Sequence, residues 1–369
     1  MSINEIFLYG MVLFMVIGAL DKCLGNKYGY GAKFEEGFMA MGALALAMVG
    51  IISLAPVLAK LLSPVIAPVY QFLGADPAMF ATTLLANDMG GYSLAMKLAK
   101  TQEAGTFAGL VLGAMMGATV VFTIPVALSM IGKEDRDFLA KGVLAGMITI
   151  PFGCFVGGIV AGYNVKMILS NLVPIIIFAV LICLGLWKIP KKMIYGFNIF
   201  GQLVVIIITL ALAAIVVQTM TDLVIIPGMA PISEGIEIVG AIAMTLAGAF
   251  PFVHFLTKNF EKPLLSVGRK LGINDHAAAG LIASLANNIA MFSIFSKMDQ
   301  NGKVLNVAFA VSAAFVFGDH LGFTAGIDKH MIFPVICGKL TAGVTAVALA
   351  KFMFCRKDSK EKDGLRRGE

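Results

Sequence analysis

The chain has 369 residues, 59% of them apolar and 14% charged, with a mean hydropathy of +0.90. A soluble domain carries about 25% charged residues and could not hide this much apolar surface, so the solvent for most of the chain is a bilayer. The net charge of +6 lies in short basic clusters between apolar runs, which argues against a nucleic-acid face and reads as a set of topology signals.

The first apolar segment, 5–21, follows Met-Ser-Ile-Asn-Glu and ends at Asp21. It lacks a basic n-region and a small-residue cleavage site, so it is expected to remain as the first helix. Glycines, prolines and charges then separate apolar segments near 37–59, 77–99, 105–131, 139–162 and 167–187. Five more lie near 194–219, 235–257, 276–297, 303–326 and 329–354. Most approach the roughly 20 residues that a spanning helix needs. The five cysteines (Cys23, Cys154, Cys183, Cys337 and Cys355) have no metal-ligand spacing and read as reduced packing residues. Gly105, Gly109, Gly113 and Gly117 form a stripe at spacing four, and Gly153, Gly157, Gly158 and Gly162 form another. Such faces permit close helix packing and also offer a homo-oligomer contact.

An internal repeat runs through these segments. Glu36-Gly37, Gly42-Ala43-Leu44-Ala45 and Gly50 return as Glu234-Gly235, Gly240-Ala241-Ile242-Ala243 and Gly248. Leu85-Ala86-Asn87-Asp88-Met89, Tyr92-Ser93 and Lys97 return as Leu285-Ala286-Asn287-Asn288-Ile289, Phe292-Ser293 and Lys297. The expected organisation is repeat 1 over 1–163, a connecting helix and cytoplasmic loop over 164–193, repeat 2 over 194–354 and a cytoplasmic tail over 355–369.

If all eleven segments cross, basic residues divide almost evenly between the two sides. If the third and ninth are re-entrant, nine cross and the 28 Lys and Arg divide 22 to 5, with Lys339 left inside the membrane. That division places the N-terminus outside and the C-terminus in the cytoplasm, and it inverts the two repeats, as in secondary transporters. The expected fold is therefore an all-α polytopic membrane protein with two inverted-topology repeats. Nine to eleven helices span, and two segments are re-entrant or broken.

The third segment breaks at Asn87-Asp88-Met89-Gly90-Gly91, about ten residues from either end and so near the midplane. Its counterpart is Asn287-Asn288. Asp88 is the leading binding candidate, because an ionised carboxylate inside a bilayer costs several kcal/mol and is retained mainly for binding, proton transfer or pairing; a structural ion pair is the plainer reading. One carboxylate facing an amide suits a single monovalent cation. Asn87, Asn287 and Asn288 bind ligand or cap the broken helices, with equal weight to each reading. Gly318-Asp319-His320 interrupts the tenth segment. Asp319 is a cation ligand or a partner for His320, His320 a proton relay, and a helix-end salt bridge is an equal alternative. Lys339 neutralises Asp88 or Asp319, or snorkels outward. Tyr92 and Phe292, aligned across the repeat, offer ring faces to an amine, although packing is the commoner role for aromatics here.

Phe34-Glu35-Glu36-Gly37, Leu84-Leu85-Ala86-Asn87-Asp88-Met89-Gly90-Gly91-Tyr92, Ala286-Asn287-Asn288 and Phe317-Gly318-Asp319-His320 together resemble the ethanolamine permease family of ethanolamine-utilisation operons (EutH-like). The resemblance spans essentially the whole chain. It implies uptake of ethanolamine across the cytoplasmic (inner) membrane of a bacterium, with catabolism left to separate enzymes. Ethanolamine is a small monocation at neutral pH, so Asp88 would take its ammonium and the asparagines its hydroxyl. Partners are then the amine substrate and the lipid bilayer, with no nucleic acid and no cofactor beyond a coupling sodium ion or proton. The runner-up is an ion-coupled transporter of another small polar solute. An intramembrane enzyme is disfavoured: HExxH, P-loop and GxSxG signatures are missing from the sequence, and no soluble domain is large enough to hold a separate active site.

Overall fold

The computed structural model describes residues 2–355, and these residues are helical with short connections. Helix α1 (Ile3–Cys23) opens on a capping box, in which the Ser2 hydroxyl accepts the Glu5 N–H while the Glu5 carboxylate accepts the Ser2 N–H over 2.7 Å. Helix α2 (Tyr30–Phe72) follows, then α3 (Ala78–Leu84) and α4 (Tyr92–Leu98). The next segment runs from α5 (Gln102–Thr106) through π-helical turns at Phe107–Gly117 and Thr119–Thr123 into α6 (Ile124–Met130). Helices α7 (Arg136–Val160), α8 (Val165–Lys188), α9 (Pro190–Thr221) and α10 (Ile232–Leu271) are long. The chain closes with α11 (Asp275–Ala286), α12 (Asn288–Ser293), α13 (Gln300–Ala313), α14 (Asp319–Ile327) and α15 (Ile332–Phe354).

Among the described residues, eight helices are long and apolar enough to cross a membrane. The chain is a multi-pass all-α membrane protein. The three segments outside that set are the two that break near their middle, 77–99 and 276–297, and the tenth, which parts into α13 and α14. Two helices exceed their expected bounds. The 43-residue α2 runs through Pro56, Pro64 and Pro68, and α10 reaches Leu271. Proline reads as a stop in sequence, but in a membrane helix neighbouring groups and local adjustments satisfy the freed carbonyls. The part of the expected tail beyond Cys355 lies outside the described residues.

The ends of both broken segments are tied together. Asp76 Oδ2 accepts the Lys100 N–H over 3.0 Å, and Asp299 Oδ1 accepts the Asn274 N–H over 2.8 Å. Each segment is therefore a helical hairpin whose two ends meet. Helix packing is reciprocal between the halves. Helix α2 lies along α10 and α7 along α15, while α1 packs on α10 as α9 packs on α2.

The glycine stripes are consumed inside the chain. A Cβ at Gly109 would overlap the Tyr92 ring and one at Gly117 the Leu85 carbonyl, while Gly153 lies against Gly338 and Ala342. These faces seat the first hairpin and join α7 to α15. Other parts of the chain fill these faces, except at Gly162, where a Cβ would have no neighbour within 4 Å.

Candidate functional site

The first hairpin breaks where the backbone leaves α3 in an extended conformation at Leu85 and Ala86. It turns at Gly90, whose φ of 84° is a left-handed value that suits glycine. The N–H groups of Met89 and Gly91 both reach the Ala86 carbonyl, at 3.1 and 2.9 Å. A Cβ at Gly90 would strike Ile51 of α2, so the tip is fitted closely to the bundle. Asp88 sits half-buried in this tip, and neither Asp88 nor Asp319 enters an ion pair among the described residues. Asn87 is 1% exposed, and neither atom of its amide has a hydrogen-bond partner. Buried polar groups are rarely left so, and an orphaned amide at a helix break is a place for a ligand's polar group.

The second hairpin differs. Asn287 is extended, and its side chain accepts the Ile289 N–H over 2.7 Å, capping α12. Asn288 is fully buried and donates its amide N–H to Thr123 Oγ1 over 3.0 Å. Capping thus accounts for Asn287 and a tie across the repeats for Asn288. The Asn288 amide oxygen has no partner.

Beside these tips lies the break between α13 and α14. Phe315 adopts φ of 61°, which is rare for a large side chain. Its N–H and that of Phe317 bond the Ser284 and Leu285 carbonyls, both at 3.0 Å. The broken strand of chain thereby satisfies carbonyls at the end of α11, and those bonds hold Phe315 in its strained conformation. The break ends at Asp319, the first residue of α14, where the helix N-terminus favours negative charge. Helix α14 touches the first hairpin tip.

Lys339 of α15 completes the group. It is 1% exposed and does not snorkel. Its ammonium donates to the Ala114 carbonyl over 2.5 Å and lies 3.0 Å from His320 Nδ1. Where Lys339 donates in this contact, Nδ1 is the acceptor and the imidazole is the neutral Nε2–H tautomer. His320 also stacks at 5.1 Å on the Phe315 ring, tilted by 42°. Taken formally, Asp88, Asp319 and Lys339 sum to one negative charge. The aligned rings have different neighbours: Tyr92 meets Phe323 edge-on at 5.8 Å, whereas Phe292 meets Phe295. Phe295 in turn receives Lys303, which pairs with Asp135 at 2.6 Å.

The family profile described as "Ethanolamine utilisation protein, EutH" matches residues 3–353. The chain belongs to the EutH family. It is 64% identical to the "Probable ethanolamine permease EutH" of Listeria monocytogenes, over 98% of this chain and 97% of that protein. It is 51% identical to the protein of the same name from Escherichia coli, over 97% of each. The Bacillus subtilis protein "Uncharacterized protein YxeR" is 49% identical over 98% of each. No solved structure matches.

Within this EutH fold, the residues singled out in sequence fall into two groups. Asp88, Asn87, Asp319, His320 and Tyr92 lie on elements that touch, α14 and the first hairpin. Asn287, Asn288 and Phe292 belong to the second hairpin and have their own partners. Sequence reasoning brought in Lys339 only as a neutralising charge or a snorkelling side chain, without its partners, and did not reach Ala114. A lone lysine inside an apolar run was the signal for the first; a backbone carbonyl leaves none for the second.

Proposed function

We propose that this protein carries ethanolamine across the bacterial cytoplasmic membrane, binding it as a monocation at the tip of the first hairpin. The observation that carries the reading is Asp88, a half-buried carboxylate with no ion-pair partner, beside the orphaned amide of Asn87. The ammonium binds Asp88 and the hydroxyl binds Asn87. Near-complete coverage of curated proteins named as ethanolamine permeases supports the substrate. Transport, not chemical conversion, is the activity.

In this reading both hairpins are re-entrant and the repeats are inverted, with the N-terminus outside and the C-terminus in the cytoplasm. Support comes from the tied hairpin ends, from the reciprocal packing of α1 on α10 and α9 on α2, and from the 22 to 5 division of basic residues. Purified protein in liposomes tests the function. Uptake of labelled ethanolamine that is saturable and lost in Asp88→Asn is expected; uptake at the wild-type rate by a correctly inserted Asp88→Asn would overturn the site.

A further inference from the structure

We propose that the groove between α11 and α15 binds an anionic phospholipid, with an acyl chain along the groove and the phosphate at Lys270 and Lys351. This site is separate from Asp88, and its test does not depend on where ethanolamine binds.

The two halves of the chain differ at this place. In the first half, the connecting helix α8 lies against both α7 and α3, the arm that leads to the first hairpin tip. Asn171 of α8 accepts the Asp76 N–H over 2.7 Å, and Ile168, Leu172 and Ile175 on its packed face are buried. By the sequence repeat, α3 corresponds to α11 and α7 to α15. Helix α8 belongs to neither repeat. Between α11 and α15 there is instead an apolar groove of about 510 Å³, whose lining includes Leu281, Leu285, Phe309, Phe317, Val344 and Val347. Ala81 and Thr82 of α3 are fully buried, whereas their counterparts Leu281 and Ile282 are part-exposed in the groove. Residues 356–369 are mostly charged, so they hold no apolar run to fill it.

The groove opens toward the bilayer, and Val344 on its lining is 61% exposed. Hydrocarbon is the solvent there, and acyl chains are as apolar as the leucines that they meet. Charge at one end selects the lipid. Lys351 stands one turn beyond Val347 on the same face of α15, and its ammonium donates to the Lys270 carbonyl over 3.4 Å. Lys270 immediately precedes the lining residue Leu271. Both lysines are exposed, and neither enters an ion pair among the described residues. In the proposed orientation this end is cytoplasmic, where basic residues at the membrane surface attract anionic headgroups. The other end reaches Leu285 and Phe317, joined by a backbone hydrogen bond of 3.0 Å at the break before α14. The acyl chain thus supports the second hairpin as α8 supports the first.

The test uses the full chain in detergent, stripped of co-purified lipid and titrated with dioleoyl phosphatidylglycerol or dioleoyl phosphatidylcholine, with bound lipid read by native mass spectrometry. Phosphatidylglycerol is expected to bind roughly tenfold more tightly than phosphatidylcholine, and Lys270→Gln with Lys351→Gln is expected to remove that preference. Ala348→Trp places a large ring in the groove from an exposed position and is expected to weaken binding of both lipids. Equal affinity for the two lipids in wild type, or binding unchanged by either variant, overturns the proposal. Where Ala348→Trp does not fold, phosphatidylglycerol with a photoreactive acyl chain decides on wild type. Crosslinks to α11 and α15 along the groove support the proposal, and crosslinks confined to other helices overturn it. Efficient disulfide formation between two copies of Val344→Cys, in a background without native cysteines, would give the groove to a second copy and also overturns it.

Discussion

Asn288 donates its amide N–H to Thr123 Oγ1 over 3.0 Å, tying the tip of the second hairpin to the π-helical stretch of the first repeat. Both groups are buried, at 0% and 1% exposure, so the bond has no competing water in its immediate surroundings. Hydrogen bonds between membrane helices contribute about 0.6 kcal/mol on average and up to about 1.7. Thr123→Val should therefore lower the stability of the purified protein by an amount in that range, read as a reduced thermal midpoint in detergent. An unchanged midpoint would show that the tie carries no structural weight.

Asn87 should behave in the opposite way. Because its amide is unsatisfied in the empty protein, Asn87→Leu is expected to leave stability unchanged or raise it, since an orphaned buried polar group costs about 1–3 kcal/mol. Ethanolamine affinity should fall roughly tenfold. Wild type should prefer ethanolamine over ethylamine, which lacks the hydroxyl, and the variant should lose that preference. Competition of each amine against labelled ethanolamine measures both.

Asp88→Asn preserves volume and removes charge. Loss of one partner in a buried charge-assisted contact costs about 2–5 kcal/mol, so uptake should fall by at least about 30-fold at substrate levels below saturation. Asp88→Glu keeps the charge and should retain measurable uptake. Equal loss in both variants would point to shape, not charge, at this tip.

The hairpin ends predict where labels can reach. Single cysteines at Lys100 and Lys297, in a protein cleared of its native cysteines, should react with impermeant reagents from opposite sides of the membrane: outside for 100 and cytoplasm for 297. Reaction of both from the same side would exclude inverted repeats.

Asp135 and Lys303 form a shielded ion pair between the two halves of the chain. Breaking a buried pair by removing one partner costs about 3–5 kcal/mol, because the other charge is left uncompensated. Asp135→Asn should be strongly destabilised, and Asp135→Asn with Lys303→Met should recover much of the loss.

The breaks were legible in sequence because their causes are local. Gly90-Gly91 beside Asn87-Asp88, and Gly318 beside Asp319-His320, are polar and glycine clusters in apolar runs, and the helices part at those points. The reach of α2 was hidden because Lys60, Pro64 and Pro68 read as the end of the segment, and only neighbouring helices make the prolines tolerable. The π-helical turns at 107–117 lie where the backbone packs closely against the first hairpin, a tertiary setting with no period of its own in the sequence. Lys339 announced itself as an anomaly, but its partners did not. Ala114 contributes a carbonyl, which every residue has, and His320 meets Lys339 from the first turn of another helix.

The carbonyl of Leu85 is covered by Gly117, and that of Leu285 by the N–H of Phe317. In both halves the covering residue lies 32 positions downstream, 117 minus 85 and 317 minus 285. Each break is therefore covered, at the same sequence interval, by the segment that follows it, so the two halves repeat a packing rule as well as a pattern of residues.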